Sequence, residues 1–334
     1  MAIAQKFTTL CGALLLAAVS HTSCFALDKV TLQLNWLADG QKSAAFVGRD
    51  RGVFQRQGID LEIKRGFGSG DTLTKLITGA ADFGYVDLPT IMTADEGRFG
   101  KTKAIMSLFS KSPHALITTT DSGINSLNDL KGKTIASAPF SSTLLYLPSI
   151  LRRSGIDISS VNIAKVEAAT MGPLLVQGKV DGSMLWSPDA SFVMPMLEKA
   201  GKKGKIIFLL DGGGNFNMYS LAVAATVKTI SERPDLVRRF VAALLESHEI
   251  VRKEPEASTA ALVKAEPQLD VATMIQMTKL TNDLMFNAES DKDGFGNFSP
   301  ALVKETYDWM IQAGQVKTPQ DPEMFVDRSF LPKK

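Results

Sequence analysis

The chain has 334 residues, 45% of them apolar and 22% charged, with 37 basic side chains against 35 acidic ones for a formal charge of +2. That length can bury a sizeable core in each of two domains, and the near balance of charge offers no basic face for nucleic acid or an anionic membrane. Both cysteines, Cys11 and Cys24, stand in the first 26 residues, so the rest of the chain has no disulfide, thiolate metal site or thiol nucleophile.

In that leading stretch Lys6 precedes the run LCGALLLAAVS, which is followed by Cys24, Phe25 and Ala26. A basic residue, an apolar core of about 11 residues and small residues at the first and third places describe a secretory signal peptide over residues 1–26, cut after Ala26. The core falls short of the roughly 20 residues that an anchor needs. A lipoprotein signal wants an aliphatic residue where His21 stands, so no lipid is expected on Cys24. An exported chain left without cysteine fits a bacterial periplasm.

From Lys29 the extended runs KVTLQL, IDLEIK, ADFGYV and KAIMSLF alternate with the helical patterns QKSAAFVGRDRG, SGDTLTKLITGA and LPTIMTADEG. Short β-rich runs spaced by such patterns predict βαβ units and a mostly parallel sheet. HALITTT adds one more extended run. The alternation then restarts through KTIAS, NIAKVEA, DGSMLW and KIIFLL, with helical patterns between them, and YSLAVAAT is extended again. Beyond it the pattern is helical, with Val237, Phe240, Val241, Leu244, Leu245, His248 and Val251 on one face of a core helix. The expected architecture is α/β in two lobes, each a mostly parallel sheet flanked by helices. Residues 27–118 and 222–334 form a discontinuous first lobe and residues 119–221 an inserted second lobe, with HALITTT and YSLAVAAT as a two-strand hinge.

Open α/β sheets take ligands beyond the carboxyl ends of their strands, and a cleft between lobes is the default site. The candidates there are Asn35, Trp36, Asp39 and Gln41, beside Lys42, then Phe67, Ser69, Tyr85 and Asp87. The inserted lobe adds Phe140, Ser141, Ser142, Glu167 and Trp186, and the return strand adds Tyr219. Aromatic residues make up only 7% of the chain yet recur at these few connections. Two rings from opposite lobes can sandwich a flat ligand, each good pair adding about 0.5–1.5 kcal/mol beyond area burial. Either indole could equally be a plug between the lobe cores. GFGSGD and PFSST put small residues just ahead of helices, where exposed N–H groups suit an anion or a carbonyl, although Ser69, Asp71 and Ser141 would also serve as plain caps. The charges on these turns, Asp39, Asp71, Asp87, Glu167 and Asp189 against Lys42, favour amino or amidine-like nitrogens over an anion.

Signals for chemistry are missing. His114 and His248 are far apart, and a G-x-S-x-G elbow is absent. LNDLKGKT has Leu127 where a phosphate loop needs glycine, and DKDGFGN departs from a calcium loop at Phe295 and Leu302. No catalytic residue, metal or cofactor is expected.

LNWLADGQKSAAFVGRDRGVFQRQGIDLEI (residues 34–63), followed by TKLITGAADFGYVD and later SLNDLKGKT, resembles the substrate-binding proteins of bacterial ABC importers. The resemblance lies with the group that takes thiamine pyrimidine precursors, alkanesulfonates and nitrate, and it covers residues 27–221. It implies a type II periplasmic-binding-protein fold that closes over one small-molecule ligand and delivers it to the permease and ATPase subunits, acting as a monomer with no nucleic-acid partner. The turn LNWLADG is similar to the L-x-W turn of the pyrimidine-precursor binders, which implies a pocket role for Trp36 and, by lobe position, for Tyr85, Asp87 and Trp186. A flat, nitrogen-bearing ligand is the leading expectation and a sulfonate, nitrate or other small anion the alternative. Related eukaryotic proteins that make the thiamine pyrimidine rely on a cysteine-rich motif, which this chain lacks beyond residue 26.

Overall fold

A computed structural model describes residues 26–94, 100–209 and 218–331. The expected signal peptide, save its last residue, lies outside the described residues, as do residues 95–97 of the third helical pattern. The first run comprises β1 (Asp28–Gln33), α1 (Ser43–Asp50), α2 (Val53–Arg56), β2 (Ile59–Lys64), α3 (Ser69–Ile77), β3 (Phe83–Asp87), α4 (Leu88–Met92) and β4 (Thr102–Ser107). The second comprises β5 (His114–Thr119), β6 (Thr134–Ser137), α5 (Ser142–Arg153), β7 (Asn162–Lys165), α6 (Met171–Val176), β8 (Gly182–Trp186), α7 (Ala190–Lys199) and β9 (Gly204–Phe208). The chain returns through β10 (Leu221–Thr226) to α8 (Val227–Glu232), α9 (Pro234–Lys253), α10 (Pro255–Ala265), α11 (Val271–Met285), α12 (Ala288–Asp293) and α13 (Pro300–Gln312). Among the described residues no helix is long and apolar enough to cross a membrane.

The strands form two five-stranded sheets, ordered β2-β1-β3-β10-β4 and β7-β6-β8-β5-β9. Each holds one strand antiparallel to its neighbours, β10 in the first and β5 in the second. The sheets are therefore mixed, and they share one topology. HALITTT and YSLAVAAT do not form a hinge ribbon between lobes, as their position in the sequence suggested. Each is a central strand of the sheet it enters, because a continuously apolar run is stable only where both faces are covered. β5 pairs with β8 and β9, so the second sheet starts at His114 rather than after residue 118. The crossings are the short segments beside these strands, tied together where Ser220 N–H donates to the Phe109 carbonyl at 2.9 Å.

All five residues of β3 are buried, and Gly84 lets α3 approach it closely, since a Cβ there would lie 2.5 Å from the Thr72 methyl. The expected stripe on α9 is buried at Val237, Phe240, Val241, Leu244, His248 and Val251. Phe240 stacks on Phe83 with ring centroids 3.9 Å apart, which anchors the returning helices on the first sheet. The last helix departs from expectation. Leu302, Val303 and Tyr307 of α13 join the first lobe's core, whereas Trp309 and Met310 join the second's, beside Leu116, Ile135 and Met184. Ser149 of α5 donates to the Ala313 carbonyl at 2.7 Å, fastening that end of α13 to the second lobe.

Candidate functional site

The carboxyl ends of β1 and β8 face each other across the cleft, together with the N-termini of α3 and α5. Between them lies a cavity lined by Asn35, Trp36, Gln41, Lys42, Gly68, Ser69, Ser141, Ser142, Thr143 and Trp186, with Asp189 at one wall. Its free volume is about 20 Å³, room for about one water molecule. The lobes are shut on it. Gly68, at φ +126, meets the second lobe through main-chain atoms, and a Cβ there would lie 2.0 Å from the Phe140 carbonyl oxygen. At the rim Arg65 pairs with Glu167 at 3.1 Å across the lobes.

The turn after β1 is organised by Asp39, whose carboxylate accepts the Gln41 N–H at 2.9 Å and caps the short helical turn Gly40–Lys42. That turn directs Gln41 and Lys42 into the cleft. Gln41 Nε2 donates to Asp189 Oδ1 at 3.1 Å, and Asp189 Oδ2 accepts the Trp186 N–H at 2.9 Å. The Lys42 side chain is wholly buried, 3.9 Å from Asp39 and 5.5 Å from the centre of the Trp186 ring. Burial lifts the Asp39 carboxyl above the usual carboxylate range, while Lys42 acts the other way. Burial, reinforced by the nearby Asp39 charge, pushes Asp189 up to about 7. Two carboxyls and one ammonium thus share a dry site, and one proton on the carboxyl pair makes it neutral. Three buried atoms here have no hydrogen-bond partner: Asn35 Oδ1, Gln41 Oε1 and Lys42 Nζ. Leaving such groups unpaired costs roughly 1–3 kcal/mol each, so the wall favours a ligand that donates to two oxygens and accepts from one ammonium.

The two indoles are placed reciprocally. Trp36, from the first lobe, packs on the core around Ile117, Ala138 and Met171 of the second. Trp186, from the second, packs with the first lobe's core and meets Phe109 edge-on at 5.6 Å. Each therefore plugs the opposite lobe and lines the cavity as well.

Of the residues singled out in the sequence, Asn35, Trp36, Gln41, Ser69, Ser141, Ser142 and Trp186 line the cavity, with Asp39 directly behind Lys42. The others lie elsewhere. Phe67 is exposed under Arg65 and Lys75, and Phe140 is 58% exposed. Tyr85 is buried in the first lobe's core. Tyr219 packs edge-on against Phe298, and its hydroxyl, pushed up to about 12 chiefly by burial, accepts the Ser299 N–H. Glu167 sits at the rim with Arg65. Asp87 is turned to His114 across the lobes at 3.0 Å, both fully buried, and His114 also meets Ser142 at 3.1 Å and Ser112 at 2.7 Å. Asp87 is thus part of an inter-lobe pair, and the two histidines' distance in sequence gave no hint of it. Lys42 and Asp189 belong with the cavity set. A strand end marks the turn that carries a side chain but not its direction; the signal for Lys42 was its place at the end of the turn that Asp39 caps.

The model of the NMT1/THI5-like family matches residues 40–258. The chain belongs to that family. Among relatives, a riboflavin-binding protein from Chloroflexus aurantiacus is 22% identical over 92% of this chain and 87% of its own length. A 4-amino-5-hydroxymethyl-2-methylpyrimidine phosphate synthase from Legionella pneumophila is 24% identical over 84% of this chain and 89% of its own. Among solved structures, the alkanesulfonate-binding protein of Xanthomonas axonopodis pv. citri, bound to MOPS, superposes with a TM-score of 0.68 at 14% identity, covering 90% of this chain and 98% of that one. This NMT1/THI5-like chain therefore has the periplasmic-binding-protein fold of solute receptors.

Proposed function

We propose that this NMT1/THI5-like protein is the extracytoplasmic receptor of an ABC importer and binds a flat, nitrogen-bearing heteroaromatic molecule between its lobes, with a thiamine pyrimidine precursor as the favoured class. The observation that carries this reading is the pairing of two cavity-lining indoles with one donor and two acceptors that make no hydrogen bond, Lys42 Nζ, Asn35 Oδ1 and Gln41 Oε1. An aminopyrimidine edge offers N–H donors beside a ring-nitrogen acceptor, and its faces suit indole stacking. The relatives named for riboflavin and for a pyrimidine product support the same ligand chemistry. Against a serine-type hydrolase stands the wiring of the cavity hydroxyl beside the imidazole. Ser142 shares His114 Nε2 with Asp87, so no relay runs from carboxylate through imidazole to that hydroxyl.

Buried Lys42 and the hydroxyls of Ser69 and Ser142 support a second reading, a small sulfonate or nitrate, and fold relatives are named for alkanesulfonates and nitrate. Thermal melting with aminopyrimidines, riboflavin, alkanesulfonates and nitrate separates the two. Ligand at 100 times its dissociation constant adds about 2.7 kcal/mol of stability. Because Asp189 ionises near pH 7, binding of an N–H-donating ligand should strengthen as pH rises from 6 to 8. Shifts confined to the anions, weakening over the same range, would overturn the heteroaromatic reading.

A further inference from the structure

A second and larger space lies against the cavity, between α3 and α4 of the first lobe and the start of α5 in the second. Its free volume is about 550 Å³, against about 20 Å³ inside. Ser141 and Ser142 line both spaces. What separates them is main chain, where the Gly70 N–H reaches the Phe140 carbonyl at a long 3.4 Å and Gly68 touches the same carbonyl with no side chain between. The partition therefore parts whenever the lobes part. The chamber walls are mainly apolar, from Leu73, Leu144 and the exposed ring of Phe140, but hydroxyls interrupt them. One of these, Thr90 Oγ1, is a buried atom on a residue 6% exposed and has no hydrogen-bond partner.

We propose that this outer chamber is a second subsite of the same ligand site, and that it holds a hydroxyl-bearing aliphatic chain carried by the ring in the inner cavity. The inference rests on the heteroaromatic reading above and narrows it, because a bare ring would leave the chamber and Thr90 unused. Leu73, Leu144 and Phe140 would cover the carbon backbone of the chain. Thr90 and the two serines would exchange hydrogen bonds with its hydroxyls, each able to donate and to accept. A substituent of this kind crosses the partition between Gly68 and Phe140, so the loaded protein closes around the chain with that main-chain contact held apart.

Calorimetric titration with two matched pairs tests the proposal: lumichrome against riboflavin, and 4-amino-5-hydroxymethyl-2-methylpyrimidine against its 5-(3-hydroxypropyl) homologue. Within the pair that binds, the member with the longer hydroxylated substituent should bind at least about tenfold more tightly than its partner. Thr74→Trp, at an exposed position on the chamber wall, and Phe140→Ala should cut that advantage to less than about threefold and leave the smaller partner's affinity unchanged. Equal affinities within the pair, or variants that weaken both members alike, would overturn the chamber subsite while leaving the ring site. Failure of all four compounds to bind would overturn the heteroaromatic reading, and the subsite with it.

Discussion

Replacing Lys42 with methionine tests the buried charge cluster directly. Methionine keeps most of the side-chain volume over Trp186 and removes only the ammonium. At the 3.9 Å separation from Asp39, an effective dielectric near 20 gives the pair about 4 kcal/mol, in the range of roughly 3–5 kcal/mol for breaking a buried pair from one side. Spread over a chain of this size, that is a fall in melting temperature of about 6–10 °C. The fall should depend on pH. Burial already lifts the Asp39 carboxyl and Lys42 restrains it, so without the lysine the carboxyl rises further. A carboxyl that is lifted on folding binds its proton more firmly in the native state, and the stability it contributes is lost as pH climbs from its ordinary value through the native one. The Lys42→Met deficit should therefore be largest at pH 8 and shrink to less than about 3 °C at pH 5, where both carboxyls can hold protons. Differential scanning calorimetry across that range reads it. Equal deficits at the two pH values would mean that only packing was lost, and no deficit at pH 8 would refute the pair.

Two further outcomes follow from the same geometry. His248 is buried on α9, edge-on to Phe295 at 5.2 Å, and burial pushes it down to about 3. It stays neutral in the folded chain while the unfolded chain takes up a proton below pH 6.5, so urea unfolding should show His248→Phe losing about 3 kcal/mol less than the parent between pH 6.5 and 4; parallel losses would rule this out. Gly68→Ala would place a methyl 2.0 Å from the Phe140 oxygen and should hold the lobes apart, visible as a larger radius of gyration in X-ray scattering with the melting of the separate lobes preserved. An unchanged profile would mean that the contact yields locally.

The strands were legible because each apolar run is short and punctuated, and IDLEIK and HALITT fall on β2 and β5 as expected. Strand direction was not legible. β5 and β10 are apolar on both faces, like the parallel strands beside them, so only the crossings decide that they run the other way. In the site, the turn after β1 was readable from Asp39 and the residues it caps. Which side chains look inward was not. Tyr85 and Val86 are adjacent on one strand, yet each goes to a different core, as alternation requires. Phe67 and Phe140 share their loops with cavity residues and still point to solvent. Lys42 was read by its charge alone, and its burial comes from α11: Gly40 lies so close to that helix that a Cβ would come within 2.6 Å of the Met274 carbonyl.

On α13, Tyr307 belongs to one core and Trp309 to the other, a rise of about 3 Å along the helix axis. A swing of one lobe against the other that left both side chains seated would pivot within less than a turn of this helix. In such a swing, material near the pivot would barely move, while the rim, where Arg65 meets Glu167, would travel farther. The chain's last long helix would then act as a fulcrum, and small changes in how it seats would be read out as large changes in how wide the mouth opens.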